Sequence, residues 1–96
     1  MSPKVSIIVP TFNQGHFLRE AINSVLAQTL PGWELIIVDN FSIDSTSEIV
    51  SSFADSRIRY KRFRNHGVIG RSRNFGVSLA RAPVIAFLDS DDTWAP

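Results

Sequence analysis

A chain of 96 residues is one domain at most, and its 44% hydrophobic and 20% charged residues exclude global disorder. A chain of this size buries roughly 60–70% of its unfolded surface, enough for one modest core. The formal net charge of +1 names no partner, and the absence of cysteine excludes a disulfide framework and thiolate metal sites. Cysteine usage fits a cytoplasmic protein. The longest apolar runs, Val5 to Pro10 and Val84 to Leu88, are too short to cross a bilayer, and Met1-Ser2-Pro3-Lys4 lacks the apolar core of a secretory signal, so no transmembrane segment is expected.

In chain order, Val5-Ser6-Ile7-Ile8-Val9 is rich in β-branched residues and reads as a strand buried on both faces, stopping at Pro10. From Gly15 to Leu30 the period changes: Phe17, Leu18, Ala21, Ile22, Val25 and Leu26 fall on one helical face, and Pro31-Gly32 ends the helix. Leu35-Ile36-Ile37-Val38, within Glu34 to Asp39, reads as a second buried strand ending on a carboxylate. Ser45-Thr46-Ser47-Glu48 matches a capping box, which starts a helix near Ser45 with Ile49, Val50 and Phe53 facing inward.

Arg57 to Phe63 alternates, with Arg57, Arg59 and Lys61 on one side and Ile58 and Tyr60 on the other, as suits a sheet edge. Gly70 to Arg81 is a third helix. Its Ser72 and Gly76, one turn apart, allow close approach to the sheet, while Phe75 and Leu79 supply apolar contact. Ala82-Pro83 breaks this helix, and Val84 to Leu88 is a fourth, buried strand.

The order β-α-β-α-β-α-β predicts an α/β fold with a mostly parallel open sheet, whose ligands bind beyond the carboxyl ends of the strands. Just past those ends stand Pro10-Thr11-Phe12-Asn13, Asp39-Asn40-Phe41-Ser42, Asn65-His66-Gly67 and Asp89-Ser90-Asp91-Asp92.

Three close carboxylates, Asp89, Asp91 and Asp92, remain ionised together when a cation or a donor network offsets their repulsion. Hard oxygen ligands in small number suit Mg²⁺ or Mn²⁺ completed by substrate phosphates; the competing reading is a solvated turn. Asp39 suits either a ribose hydroxyl or base N–H, or an Asx turn. Asn13 suits a turn or cap before it suits a ligand. Arg71 and Arg73 open a helix at the ligand edge, where an arginine reaches a phosphate or pairs with a surface acid. His16 and His66 have no metal-ligand spacing.

The segment from Arg57 to Arg81 carries no acid and most of the bases. It reads as a charged outer edge rather than a nucleic-acid surface, because acids at the strand tips repel a polyanion. Neither a Gly-x-x-x-x-Gly-Lys loop nor a Gly-x-Gly-x-x-Gly turn is present, so a bound nucleotide needs a metal for its phosphates.

Taken together, VSIIVPTFNQGHFLREAINSVLAQTLPGWELIIVDNFSIDST, NHGVIGRSRNFGVSLA and VIAFLDSDDTWAP resemble, in order and over nearly the whole chain, the N-terminal half of family 2 glycosyltransferases with the GT-A fold. The resemblance implies a Rossmann-like, nucleotide-sugar-binding portion spanning residues 1–96, with the acceptor-binding half absent. It places Pro10, Thr11 and Asn13 in the nucleoside pocket, Asp39 and Asn40 at the base or ribose, and Arg73 near the nucleotide. Asp89-Ser90-Asp91 then matches an Asp-x-Asp motif, with Asp91 on Mn²⁺ or Mg²⁺ and Asp89 beside the ribose or metal.

The implied activity is sugar transfer from a nucleotide donor to an unknown acceptor, with inversion. Asn40 departs from the second Asp of many relatives, and UDP or dTDP is favoured over GDP. No carboxylate within the chain replaces the general base, so the chain alone is expected to be inactive. The alternatives are a folded module without ligand activity, or a homo-oligomer formed through an exposed sheet edge.

Overall fold

The computed structural model describes residues 3–28 and 32–90. Their elements run β1 (Val5–Thr11), α1 (Gly15–Leu26), β2 (Trp33–Asp39), α2 (Thr46–Ser51), β3 (Ile58–Arg62), α3 (Ile69–Leu79) and β4 (Val84–Phe87). The strands form one four-stranded sheet in the order β3-β2-β1-β4, and every pair is parallel. The expected α/β architecture with an open parallel sheet is therefore present.

Helices pack on both faces. Side chains alternate along a strand, so Ile7 and Val9 of β1 and Leu35 and Ile37 of β2 join Leu18, Ala21, Ile22 and Val25 of α1, and Val50 of α2, in the larger core. Ile8, Ile36 and Val38 point the other way, against Phe75 and Leu79 of α3. Both sides of β1 and β2 are covered, which is why these strands read as continuous apolar runs.

The close approach expected of α3 is real. A Cβ on Gly76 would lie 2.5 Å from Ile8 Cγ2, so only glycine lets the helix settle on the sheet at this depth. The far end of α3 is tied to the sheet by a buried polar knot. Glu34 accepts hydrogen bonds from the Ser6 hydroxyl at 2.6 Å, Arg59 Nη1 at 3.0 Å and the Arg81 N–H at 2.7 Å. Arg59 Nη1 also donates to the Leu79 carbonyl, and the Ala82 N–H donates to Ser6 Oγ. Burial pushes the Glu34 carboxyl up, but the donors from Ser6, Arg81 and Arg59 outweigh it and hold the group below its ordinary value.

Several expectations need correction. Strand β1 runs through Pro10 to Thr11. Ile8 accepts from the Leu88 N–H on the β4 side, and Pro10, two residues on, faces the same side beyond the last paired residue of β4. Its missing N–H therefore costs no ladder bond. Helix α1 stops at Leu26, where the Gln28 N–H donates to the Val25 carbonyl and Gln28 Nε2 to the Ser24 carbonyl. Phe17 is exposed, because the buried stripe is centred on Gly15, Leu18, Ile22 and Val25. Ser45 makes no side-chain cap; Asp44 Oδ1 accepts the Thr46 N–H instead. Arg59 lies half-buried beneath α3 rather than on an open face. Strand β4 is not a buried strand: among the described residues it is a sheet edge, with Val84 and Phe87 exposed.

Two outcomes follow from this packing. Gly76→Ala should lower unfolding free energy by about 1–3 kcal/mol in urea melts, and combined with Ile8→Ala, which removes the clashing Cγ2, it should cost less than the sum of the two single losses. The Glu34 carboxyl is depressed in the folded state, so its contribution is fully present above the ordinary glutamate value of about 4.3 and disappears as pH falls through the lower folded value. Glu34→Gln should flatten the acid limb of a stability–pH curve over that window; an unchanged acid limb would refute this role.

Candidate functional site

Strand order reverses between β1 and β4. From β1 the chain steps outward to β2 and β3, then returns through α3 to place β4 on the opposite side of β1. The loops leaving β1 and β4 consequently part in opposite directions and leave a crevice at the carboxyl end of the sheet. A cavity of about 360 Å³ opens there, lined by Pro10, Thr11, Phe12, Gln14, Ile69, Arg73, Asp89 and Ser90.

Each lining group has a structural reason for its place. Gln14 stands at the N-cap position of α1, and its Oε1 accepts a bond from the buried Ser90 hydroxyl, joining the β1–α1 turn to the residue two places after Leu88. Arg73 belongs to the second turn of α3 and reaches Asp89 Oδ1 at 3.1 Å. Both side chains of this pair are substantially exposed, so it adds little to stability and leaves its charges facing the cavity mouth. The Thr11 hydroxyl is the one buried side-chain polar atom among the described residues that has no partner. An unpaired buried hydroxyl is costly, and this one belongs to a residue lining the cavity.

Beside the cavity, the tip of β2 forms a network. Asp39 is fully buried. Its Oδ1 accepts the Ser42 N–H at 3.0 Å and the Ser42 hydroxyl at 2.5 Å, and its Oδ2 accepts the Tyr60 hydroxyl. Burial, and then the bond to Asp39, push the Tyr60 phenol above its ordinary value, so it stays protonated as the donor. Ser42 Oγ also accepts the Asn13 N–H at 2.8 Å, and Asn13 Oδ1 accepts the Ile43 N–H at 2.8 Å. Asn13 and Phe41 both sit in the left-handed region, at φ 51° and 53°, which these crossed bonds hold in place. Asn40 Oδ1 accepts the Asn65 N–H at 2.9 Å, and the Asn40 N–H donates to the Thr11 carbonyl at 3.0 Å. The Asp44 carboxyl, held below its usual value first by the Thr46 hydroxyl, also accepts the Gly15 N–H and so pins the start of α1.

Of the residues picked out from the sequence, Pro10, Thr11, Arg73, Asp89 and Ser90 meet in the cavity. Asn13, Asp39 and Asn40 do not line it; they brace its wall from the β2 side. Asp91, together with Asp92, lies outside the described residues. Sequence reading missed Phe12, Gln14 and Ile69 as lining residues, and Tyr60 and Ser42 as partners of Asp39. Only position, just past β1 and at the start of α3, marked the lining residues in advance. Among the described residues no group of three or more His, Cys, Asp or Glu gathers in one place, and no helix is long and apolar enough to cross a membrane.

The model of Glycosyl transferase family 2 matches residues 6–96. The chain belongs to that family. It is 37% identical over 94 residues to the glycosyltransferase GlyG of Streptococcus pneumoniae, covering 96% of this chain and 31% of that relative. It is 42% identical over 90 residues to WfgD of Escherichia coli, a UDP-Glc:alpha-D-GlcNAc-diphosphoundecaprenol beta-1,3-glucosyltransferase, covering 94% of this chain and 36% of the relative. Among solved structures, S. aureus TarS 1-349 in complex with UDP-GlcNAc superposes with a TM-score of 0.88 at 33% identity, covering 94% of this chain and 27% of that one. The family 2 chain described here thus spans about a third of the length of these relatives.

Because the Arg73–Asp89 pair is exposed, Asp89→Ala in this family 2 domain should change unfolding free energy by less than about 1 kcal/mol in denaturant titrations. A larger loss would assign the pair to the scaffold rather than to a ligand.

Proposed function

We propose that the crevice between β1 and β4 binds the nucleotide part of a nucleotide-sugar, for transfer of the sugar to an acceptor with inversion at the anomeric carbon. The observation that carries this reading is the cavity at the strand-order reversal, where the Arg73 and Asp89 side chains pair within one lining. Residues 1–96 serve in this reading as the donor-binding portion. Pro10, Thr11, Arg73, Asp89 and Ser90 contact the donor, and Asn13, Asp39 and Asn40 shape the wall beside it. The arginine supplies a fixed positive charge for a diphosphate.

Mn²⁺ or Mg²⁺ fits the chemistry of the donor set. Asp89 presents an exposed carboxylate at the cavity mouth, Asp91 follows two residues later, and such ions complete their oxygen shell with substrate phosphates rather than a third side chain. Asp89 and Asp91 would hold the ion, which would supply Lewis-acid neutralisation of the diphosphate. UDP-sugars are the first donors to try: TarS is solved with UDP-GlcNAc, and WfgD is a UDP-Glc-dependent glucosyltransferase.

Calorimetry with UDP and UDP-GlcNAc, with and without Mn²⁺, tests the reading. Affinity for UDP should rise at least about tenfold with Mn²⁺, equivalent to ~1.4 kcal/mol, and Asp91→Ala should abolish that gain. Binding indifferent to metal and to Asp91→Ala, or no binding at all, would refute it.

A further inference from the structure

Tyr60 stands on the edge strand β3, away from the cavity lining, and no motif in the sequence singles it out. Its hydroxyl nevertheless begins a chain of hydrogen bonds that ends beside the cavity. Tyr60 Oη donates to Asp39 Oδ2. Asp39 Oδ1 accepts a hydrogen bond from the Ser42 hydroxyl. With its one O–H donated to Asp39, Ser42 Oγ can only accept from the Asn13 N–H, at 2.8 Å. Asn13 directly follows Phe12 and lies two residues past Thr11, both in the cavity lining. The backbone at Asn13 is in the left-handed region, which asparagine tolerates better than most residues other than glycine, and the bond from its N–H to Ser42 fixes that turn.

From this geometry we infer that Tyr60 is a positioning residue for the donor cavity, acting through Asp39 and Ser42 on the turn after β1. The inference rests on the reading of that cavity as the nucleotide site. It also changes the part played by Asp39. With the residue fully buried and both oxygens already bonded, the carboxylate organises the wall instead of touching the ligand. Removing the phenolic hydroxyl takes from Asp39 Oδ2 the donor it has in Tyr60. A buried acceptor without a donor draws its neighbours toward a new arrangement, and Ser42, sharing the same carboxylate, is the group free to move. The displacement reaches Asn13 without any contact between Tyr60 and the ligand.

The test uses Tyr60→Phe and Ser42→Ala, singly and combined, with UDP affinity in the presence of Mn²⁺, the backbone amide resonance of Asn13, and thermal melting as readouts. Tyr60→Phe should weaken UDP about tenfold, shift the Asn13 amide and retain a cooperative melt. The combined variant should lose no more than the larger single loss, because both act through one carboxylate. Ser42→Thr, which keeps the hydroxyl, should retain affinity that Ser42→Ala loses, and this pair decides the matter if Tyr60→Phe does not fold. Lower melting with UDP affinity and the Asn13 amide unchanged would overturn the inference, as would strictly additive losses. If the unaltered chain binds no UDP, the donor reading falls, while an unmoved Asn13 amide in Tyr60→Phe overturns the positioning role by itself.

Discussion

Parallel pairing of β1 with two neighbours is the constraint from which the rest follows. Its register with β2 runs from Val5↔Trp33 to Thr11↔Asp39, and with β4 from Val5↔Val84 to Ile8↔Phe87. Parallel strands must all end at the same side of the sheet, so every loop that leaves a strand is delivered to one end of the molecule. Because β1 is the strand from which the chain departs in one direction and to which it returns from the other, the loops diverge only there. The crevice is a consequence of connectivity, and its lining consists of whatever residues follow β1, follow β4 and begin α3.

Polar groups are buried at both ends of the sheet, with different results. At the amino end, Glu34 gathers Ser6, Arg59 and the backbone of Arg81, closing off the last turn of α3. Donors and acceptor are matched, and the knot fixes how the helix lies. At the carboxyl end, Asp39 gathers Ser42 and Tyr60, and Ser42 in turn gathers Asn13. That arrangement braces two loops in left-handed conformations next to a cavity where the Thr11 hydroxyl has no partner. A satisfied network fixes the loops it joins and so the shape of the cavity wall beside them. The family 2 membership and the superposition on TarS are consistent with that division of labour.

Much of this was legible in the sequence because the signals were local. The β-branched runs at Val5 and Leu35, the helical stripe from Leu18 to Val25, and the small residues Ser72 and Gly76 each depend on period and side-chain volume. The edge character of β3 was legible in its alternation. The errors have local causes too. Phe17 sits one step off a stripe whose centre the sequence does not mark. Asp44, one residue before the expected cap, bonds the Thr46 N–H, while Ser45 makes no side-chain cap. Pro10 was taken as a stop, although a missing N–H matters only where a neighbour waits to accept it.

The sequence by itself determined the succession of strands and helices, that β1 and β2 were covered on both faces, and which polar residues followed the strand ends, because each depends on residues near one another in the chain. Only the tertiary structure decided that β4 returns beside β1 and stands at an edge. It also decided that Asp89 meets Arg73 across the crevice, and that Asp39 spends its carboxylate on Ser42 and Tyr60 rather than facing the cavity. These outcomes join residues up to 76 positions apart, as Gln14 and Ser90 are. No periodicity within a short window encodes such partners; they are chosen by strand order and by the need of every buried polar atom for a hydrogen bond.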